Sequence, residues 1–263
     1  MSATIAAPRG DHELLAAAVR EAGALALRYY EGPVKSWDKQ PGDPVSEADL
    51  AVNDLLRARL GGARPGYGWL SEESDDDGSR RGSAPLWIAD PIDGTRAFLR
   101  KHPQFSVSVA LAVDGRPVAG VVFNPATDEF FDGEAGRGAR LNGAPIRVSA
   151  RAGIAGATLI ANRRAFLWSP DAGVAKFESV NSMAYRMALV AAGRADATVS
   201  LSAKSDWDVA AADLIVREAG GLVSTTAGAP LTYNSDHVTH PSILAAGPQL
   251  HTEIIAGLAD EGA

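Results

Sequence analysis

The chain has 263 residues, 46% of them hydrophobic and 22% charged, with a formal net charge of −7 and no cysteine. That length suits one compact domain or two closely packed halves. The acidic balance excludes a general binder of nucleic-acid polymers, which needs a basic face, and the missing cysteines exclude disulfides, thiolate chemistry and Cys-ligated zinc. No run approaches the ~20 apolar residues of a membrane span. The opening MSATIAAPRGDHE has no apolar stretch of signal-peptide length, so no membrane partner and a cytoplasmic location are expected. A small anionic substrate stays open, because bound divalent cations reverse the local sign.

In chain order, Leu14, Leu15, Ala18, Val19, Ala22, Ala26 and Tyr29 recur at three-and-four spacing and predict an amphipathic helix over 11–31, stopped by Gly32-Pro33. The polar, Gly/Pro-rich stretch after it reads as a loop or hairpin. Ser46 is placed to cap a helix from Glu47 to Leu60. Asp49 falls in its first turn, where a carboxylate favours the helix dipole. Tyr67 to Leu70 reads as a short strand running into Ser71-Glu72-Glu73-Ser74. Residues 74–85 read as a solvated loop, with Asp75, Asp76 and Asp77 as surface charge.

The most informative stretch is Trp87 to Leu99, WIADPIDGTRAFL. Its apolar run reads as a buried strand that ends at Asp90, because Pro91 has no N–H and biases the residue before it away from helix. Asp93, Gly94 and Thr95 then enter a short helix. Taken alone, DPxDG also fits a turn with Asp93 as its cap. Two acids beside a helix N-terminus, however, set a place for hard cations next to a place for phosphate. Ser106 to Val113 alternates as a strand, and Asp114-Gly115 turns it into Pro117 to Phe123. The Gly-rich, charged residues that follow predict more antiparallel strands.

Near Ala150 the pattern changes to alternating strands and helices. Strands are predicted at 157–161, 195–200, 222–223 and 243–246. Helices are predicted at 183–192, from Trp207-Asp208 to Ala219, and at about 249–258. Asp49, Glu72, the pair Asp90 and Asp93, and Asp208 thus sit at helix starts or strand ends. Brought into one pocket, they would repel one another without cations. Paired Mg²⁺ ions resolve that repulsion and suit phosphoryl transfer. None of the five histidines lies at a metal-ligand spacing within a helix. His102, just past the key helix, reads as an exposed loop residue.

DPIDGT at 90–95, SEES at 71–74 and WDVAAADLIVREAGG at 207–221 together resemble the inositol monophosphatase superfamily over nearly the whole chain. The resemblance implies a layered αβαβα sandwich in the α+β class, with residues 1–150 carrying most ligands and residues 151–263 carrying Asp208 and the substrate-selecting residues. It implies a Mg²⁺-dependent, lithium-sensitive phosphomonoesterase. Glu72, Asp90 and the Ile92 carbonyl would hold one Mg²⁺, and Asp90, Asp93 and Asp208 a second. A third, weaker ion would sit near Glu72. Gly94 and Thr95 would receive the phosphate through backbone N–H groups, beside Asp93 and Asp208. Thr95, bonded to Asp49, would help polarise a water that attacks phosphorus directly. DPVSEAD at 43–49 matches the family's D-x-V-T-x-x-D with Ser46 in place of threonine. Lys39 falls where the family often has a lysine in its mobile metal loop. Family members are often homodimers.

Substrate selection is expected between about 160 and 207. Animal members place an acidic residue seven positions before the Trp-Asp aspartate, where this chain has Leu201, which accepts no hydrogen bond from a ring hydroxyl. Arg186 falls where the 3′(2′),5′-bisphosphate nucleotidase branch often has a lysine, suited to a second phosphate. These two residues favour adenosine 3′,5′-bisphosphate as the small phosphorylated substrate, ahead of inositol-1-phosphate and then histidinol phosphate. The non-enzymatic alternative is a phospholigand-binding regulatory protein with a vestigial site.

Overall fold

The computed structural model describes residues 6–83, 85–161, 173 and 176–260. α1 (Asp11–Glu31) buries Leu15, Ala18, Val19, Ala22 and Ala26 along one stripe. A hairpin follows, β1 (Ser36–Gln40) and β2 (Asp43–Ser46). α2 (Glu47–Leu56) starts on Ser46, whose hydroxyl accepts the Ala48 N–H. The helix expected to reach Leu60 is regular only to Leu56; Arg57–Gly61 continue it as a π-helical turn.

Next come β3 (Gly68–Ser71), β4 (Leu86–Asp93), α3 (Thr95–Leu99), β5 (Ser106–Val113), β6 (Arg116–Asn124), β7 (Glu129–Glu134), β8 (Ala139–Leu141) and β9 (Ala144–Pro145). β3 to β9 form one seven-stranded sheet in sequence order, parallel between β3 and β4 and antiparallel elsewhere. Asp114 and Gly115 both take positive φ, 50° and 74°, as a two-residue hairpin turn demands.

The remaining elements are β10 (Thr158–Ala161), β11 (Lys176–Glu178), α4 (Met183–Ala191), β12 (Ala197–Ser200), β13 (Lys204–Ser205), α5 (Asp206–Glu218), β14 (Leu222–Ser224), β15 (Thr239–His240), β16 (Ile243–Ala246) and α6 (Pro248–Asp260). A second sheet has the order β11-β10-β12-β16-β14, while β13 and β15 form a two-stranded ribbon.

Five layers result. α1 and α2 cover one face of the large sheet, where Leu15, Val19, Val52 and Leu56 meet Trp87, Val109 and Val121. α4 and α5 fill the space between the sheets, with Met187, Ala211 and Ile215 against Ile88, Val122, Phe131 and Ile243. α6 closes the far side with Leu250 and Ile254 on Leu159, Val199 and Leu244. This is the expected αβαβα sandwich. Along β4, Trp87 and Ala89 face the first core, and Leu86 and Ile88 the second. A strand covered on both faces therefore reads as a continuous apolar run. Among the described residues, no helix is long and apolar enough to cross a membrane.

β4 does not end at Asp90. Asp90 pairs with Ser108 and Asp93 with Ser106, so three steps on β4 oppose two on β5. This is a bulge, the form in which a strand absorbs a residue such as Pro91 that cannot donate to the ladder. Nor does Asp93 cap α3: Gly94 does, at φ 95°. Asp75, Asp76 and Asp77 are exposed as expected, but Asp76 also pairs with the buried Arg80, whose Nη1 bonds Asn234 at 2.7 Å. That pair ties the 74–85 loop to the C-terminal half.

α5 lies close against the large sheet because β6 offers Gly120. A Cβ there would stand 2.8 Å from the Ala211 carbonyl oxygen. Gly120→Ala should cost about 1–3 kcal/mol by overpacking, read as a lower urea midpoint with an unchanged slope. An unchanged midpoint would show that α5 does not sit on the sheet at this distance.

Candidate active site

The bulged end of β4 carries Asp90 and Asp93, and the first turn of α5 carries Asp208. One carboxylate oxygen from each of the three lies within 4.8 Å of the others. Each acid is held by backbone through a single oxygen. Asp90 Oδ1 accepts the Ile92 N–H at 3.1 Å. Asp93 Oδ2 accepts the Ser182 hydroxyl and the Ala184 N–H, both at 2.6 Å, at the start of α4. Asp208 Oδ2 accepts the Ser205 N–H at 2.7 Å. The second oxygen of each remains for the shared space.

Asp49 works the same way from α2. Its Oδ2 accepts the N–H and hydroxyl of Ser46, at 2.8 and 2.5 Å, as the returning half of a capping box. Its Oδ1 lies 3.2 Å from Thr95 Oγ1, which also lies 3.1 Å from the Ile92 carbonyl oxygen. Gly94 must be glycine: a Cβ would come within 2.9 Å of the Gln104 carbonyl and 3.2 Å of the Ser182 nitrogen.

These acids are buried, Asp90 to 1% exposure and Asp93 to 6%. Burial first, and then Glu72, Asp93, Asp208 and Asp49 around it, push Asp90 well above the carboxylate range. Burial also raises Asp93, against its bonds to Ser182 and Ala184. Burial and the neighbouring Asp93 push Asp208 up to about 7. Burial outweighs the Ser46 bonds at Asp49 and pushes it up to about 6. Uncompensated, such a cluster opposes its own ionisation. An oxygen-only donor set without histidine suits a hard cation such as Mg²⁺, so the residues fit the metal they were expected to bind.

A cavity of about 230 Å³ opens on the cluster, and Glu72, Ile92, Gly94, Thr95, Arg96 and Asn181 are among its walls. Glu72 stands slightly apart from the three aspartates. Lys39 Nζ on β1 lies 3.0 Å from its carboxylate and 2.7 Å from that of Glu73. Burial lowers the affinity of Lys39 for its proton, but the two glutamates outweigh burial and hold it above its ordinary value.

Residues 11–262 match the inositol monophosphatase family. The chain belongs to this family. It is 41% identical over 207 residues to an inositol-1-monophosphatase of Mesorhizobium japonicum, covering 72% of this chain and 75% of that protein. It is 35% identical to a histidinol-phosphatase of Chlorobaculum parvum, over 80% of this chain and 84% of that one. Among solved structures, the extragenic suppressor protein SuhB of Bartonella henselae superimposes with a TM-score of 0.82 at 32% identity, over 94% of this chain and 97% of that chain. The inositol monophosphatase family is one of Mg²⁺-dependent phosphatases, and its member here is a phosphoric monoester hydrolase.

Two residues bear on which ester this family member takes. Arg186 is neither a surface arginine nor a wall of the cavity. It is half-buried on α4, its Nε donates to the Val180 carbonyl, and burial lowers its pKa from the ordinary arginine value while Asp93 raises it. One nitrogen of this guanidinium is thus held by backbone, and Asp93 lies close enough to raise the pKa of the group. Leu201 is 54% exposed, and His102 is exposed as expected. Residues 162–172 and 174–175 of the expected selectivity region lie outside the described residues.

Ser182 and Ala184, which hold Asp93, were not singled out in the sequence. The available signal was a serine directly before the apolar period of α4, an N-cap position. Asn181 and Arg96 in the cavity wall had no such signal.

The raised carboxylates fix a pH dependence. In metal-free protein, Asp49 and Asp208 keep protons that an unfolded chain releases near 3.8. Stability from these groups therefore falls as pH rises through about 6 and 7. Metal binding needs the ionised forms and releases those protons. The rise in melting temperature on adding Mg²⁺ should be larger at pH 8 than at pH 5.5. An equal or smaller rise at pH 8 would contradict this electrostatic account.

Proposed function

We propose that this chain is a Mg²⁺-dependent phosphomonoesterase of small alcohol phosphates, with inositol-1-phosphate as the preferred class of substrate. The observation that carries the reading is the meeting of buried Asp90 and Asp93 with half-buried Asp208 beside the Thr95–Asp49 pair. Asp90, Asp93 and Asp208, with Glu72 and the Ile92 carbonyl, would hold two Mg²⁺ ions, and a third would sit near Glu72. When bound, the metal supplies Lewis acidity and lowers the pKa of the attacking water.

The chain's own residues do the remaining work. Backbone N–H groups of Gly94 and Thr95, at the head of α3, hold phosphoryl oxygens. Thr95 Oγ1 orients the water and takes its proton as its own hydrogen passes to Asp49 Oδ1. Asp49 Oδ1, 3.2 Å from Thr95 Oγ1, is placed to receive that hydrogen. Ser46 and Ser182 keep Asp49 and Asp93 from turning away. Catalysis is thus positioning and charge stabilisation, as in other phosphoryl transfers.

Two points support a compact ester. The 41% relative is an inositol-1-monophosphatase. The cavity of about 230 Å³ lies below the about 300–1,000 Å³ that buries a drug-sized ligand. A second reading, adenosine 3′,5′-bisphosphate, rests on Leu201, which gives no acceptor to a ring hydroxyl and is exposed, and on the terminal nitrogens of Arg186 as partners for a second phosphate. Histidinol phosphate follows from the 35% relative. Lithium inhibition and a cytoplasmic location belong to the same reading.

Phosphate release with Mg²⁺ from the three esters side by side should be fastest on inositol-1-phosphate and suppressed by lithium. Faster release from adenosine 3′,5′-bisphosphate would move the substrate choice, and none from any ester would remove the enzyme. Asp93→Asn should lower turnover at least about 100-fold, beyond the about 10–100-fold typical of an outer partner. The same change removes one like charge, so the metal-free variant should melt no lower than wild type at pH 8. Retained turnover would take Asp93 out of the mechanism.

A further inference from the structure

We infer that His240 is a positioning residue for the metal site, acting on Asp208 through Asp206. The inference rests on the reading of Asp208 as a metal ligand. Asp206 is the first residue of α5, two before Asp208, and it is fully buried. A carboxylate in that position is tolerated only with partners, and both its oxygens have them. Oδ1 lies 3.0 Å from His240 Nε2, which carries the hydrogen, because an ionised carboxylate only accepts. Oδ2 accepts the Asn234 N–H at 2.9 Å, and the Asp206 N–H donates to the Val238 carbonyl at 2.8 Å.

Ser205 gives its N–H to Asp208 Oδ2 at 2.7 Å. The β13–β15 ribbon sets where Ser205 stands, Lys204 pairing with His240 and Ser205 with Thr239. His240 therefore holds the head of α5 twice, by strand pairing and by its ring. The ring is itself fixed: His240 is 7% exposed and meets the Tyr233 ring edge-on at 5.4 Å. Ligands of a metal must be held to within about 0.5 Å, and for Asp208 that precision comes from the turn that His240 clamps.

The same segment grips α5 a second time, where the Tyr233 hydroxyl donates to Asp213 Oδ2 at 2.9 Å. Asp213 lies five residues past Asp208, about 7.5 Å along the axis. The Tyr233 bond therefore anchors the helix body, and the His240 bond anchors the turn that aims a ligand. A purely structural histidine and a positioning one differ in which of these two losses reaches the metal.

The test is titration of Mn²⁺ into the metal-free full chain, with free Mn²⁺ read by its paramagnetic resonance. His240→Ala should bind Mn²⁺ at least about ten-fold more weakly than wild type, the lower end for an outer partner of a metal ligand. His240→Gln, which offers an amide donor in place of Nε2, should recover most of that loss. Tyr233→Phe removes a buried hydrogen bond from the same segment, but at Asp213, and should bind as wild type does. If His240→Ala does not fold, Asp206→Asn and the double variant Asp206→Asn with His240→Ala replace the comparison. The amide alone makes both bonds, accepting from Asn234 and donating to His240, and the double variant breaks the second with no buried charge left unpaired. The double variant should then bind about ten-fold more weakly than Asp206→Asn. Undiminished affinity in the variants that lack the bond, or an equal loss in Tyr233→Phe, overturns the inference and leaves the metal reading standing. No Mn²⁺ uptake by wild type removes the metal reading and this inference with it.

Discussion

Like-charge repulsion between buried carboxylates is the constraint around which this molecule is arranged. Asp90, Asp93 and Asp208 point oxygens into one small space, and burial pushes the affinity of each for protons upward. Such a cluster survives in a folded protein only if its members are anchored more strongly than they repel, or if a cation is expected. Here the anchoring is visible, and the oxygen-only donor set matches the Mg²⁺ dependence of the family.

The anchoring repeats one device. Asp49 and Asp208 each sit three residues past the residue that starts their helix, and each returns one oxygen to that residue's N–H. Asp93 instead reaches across the molecule to the first turn of α4. Three helix starts, those of α2, α4 and α5, therefore face one point at the end of β4. Helix N-termini favour negative charge, so the same geometry that aims the carboxylates also eases their ionisation. The bulge at Pro91 completes the arrangement by putting Asp90 and Asp93 three residues apart on a strand that is paired on both sides of the gap.

Much of this was legible from residues. The apolar LWIA run, the DPIDGT turn and the Trp-Asp helix start identified the acids, and the periodicity of α1, α4 and α5 placed those helices within a residue or two, whereas α2 turns π-helical four residues before its expected end. What stayed illegible depends on contacts distant in sequence. No local pattern announces that Asp93 bonds Ser182 and Ala184, about ninety positions away. None announces that Lys39 turns to Glu72 and Glu73. Nor does any local pattern announce that Arg186, on α4, gives its Nε to the Val180 carbonyl.

The central claim is that the three aspartates exist to hold divalent metal. The most direct measurement is anomalous diffraction from crystals soaked in Mn²⁺, an oxygen-seeking stand-in for Mg²⁺. The account predicts strong peaks touching Asp90, Asp93 and Asp208 beside Thr95. Peaks confined to other acids, with those three carboxylates unliganded, would contradict it.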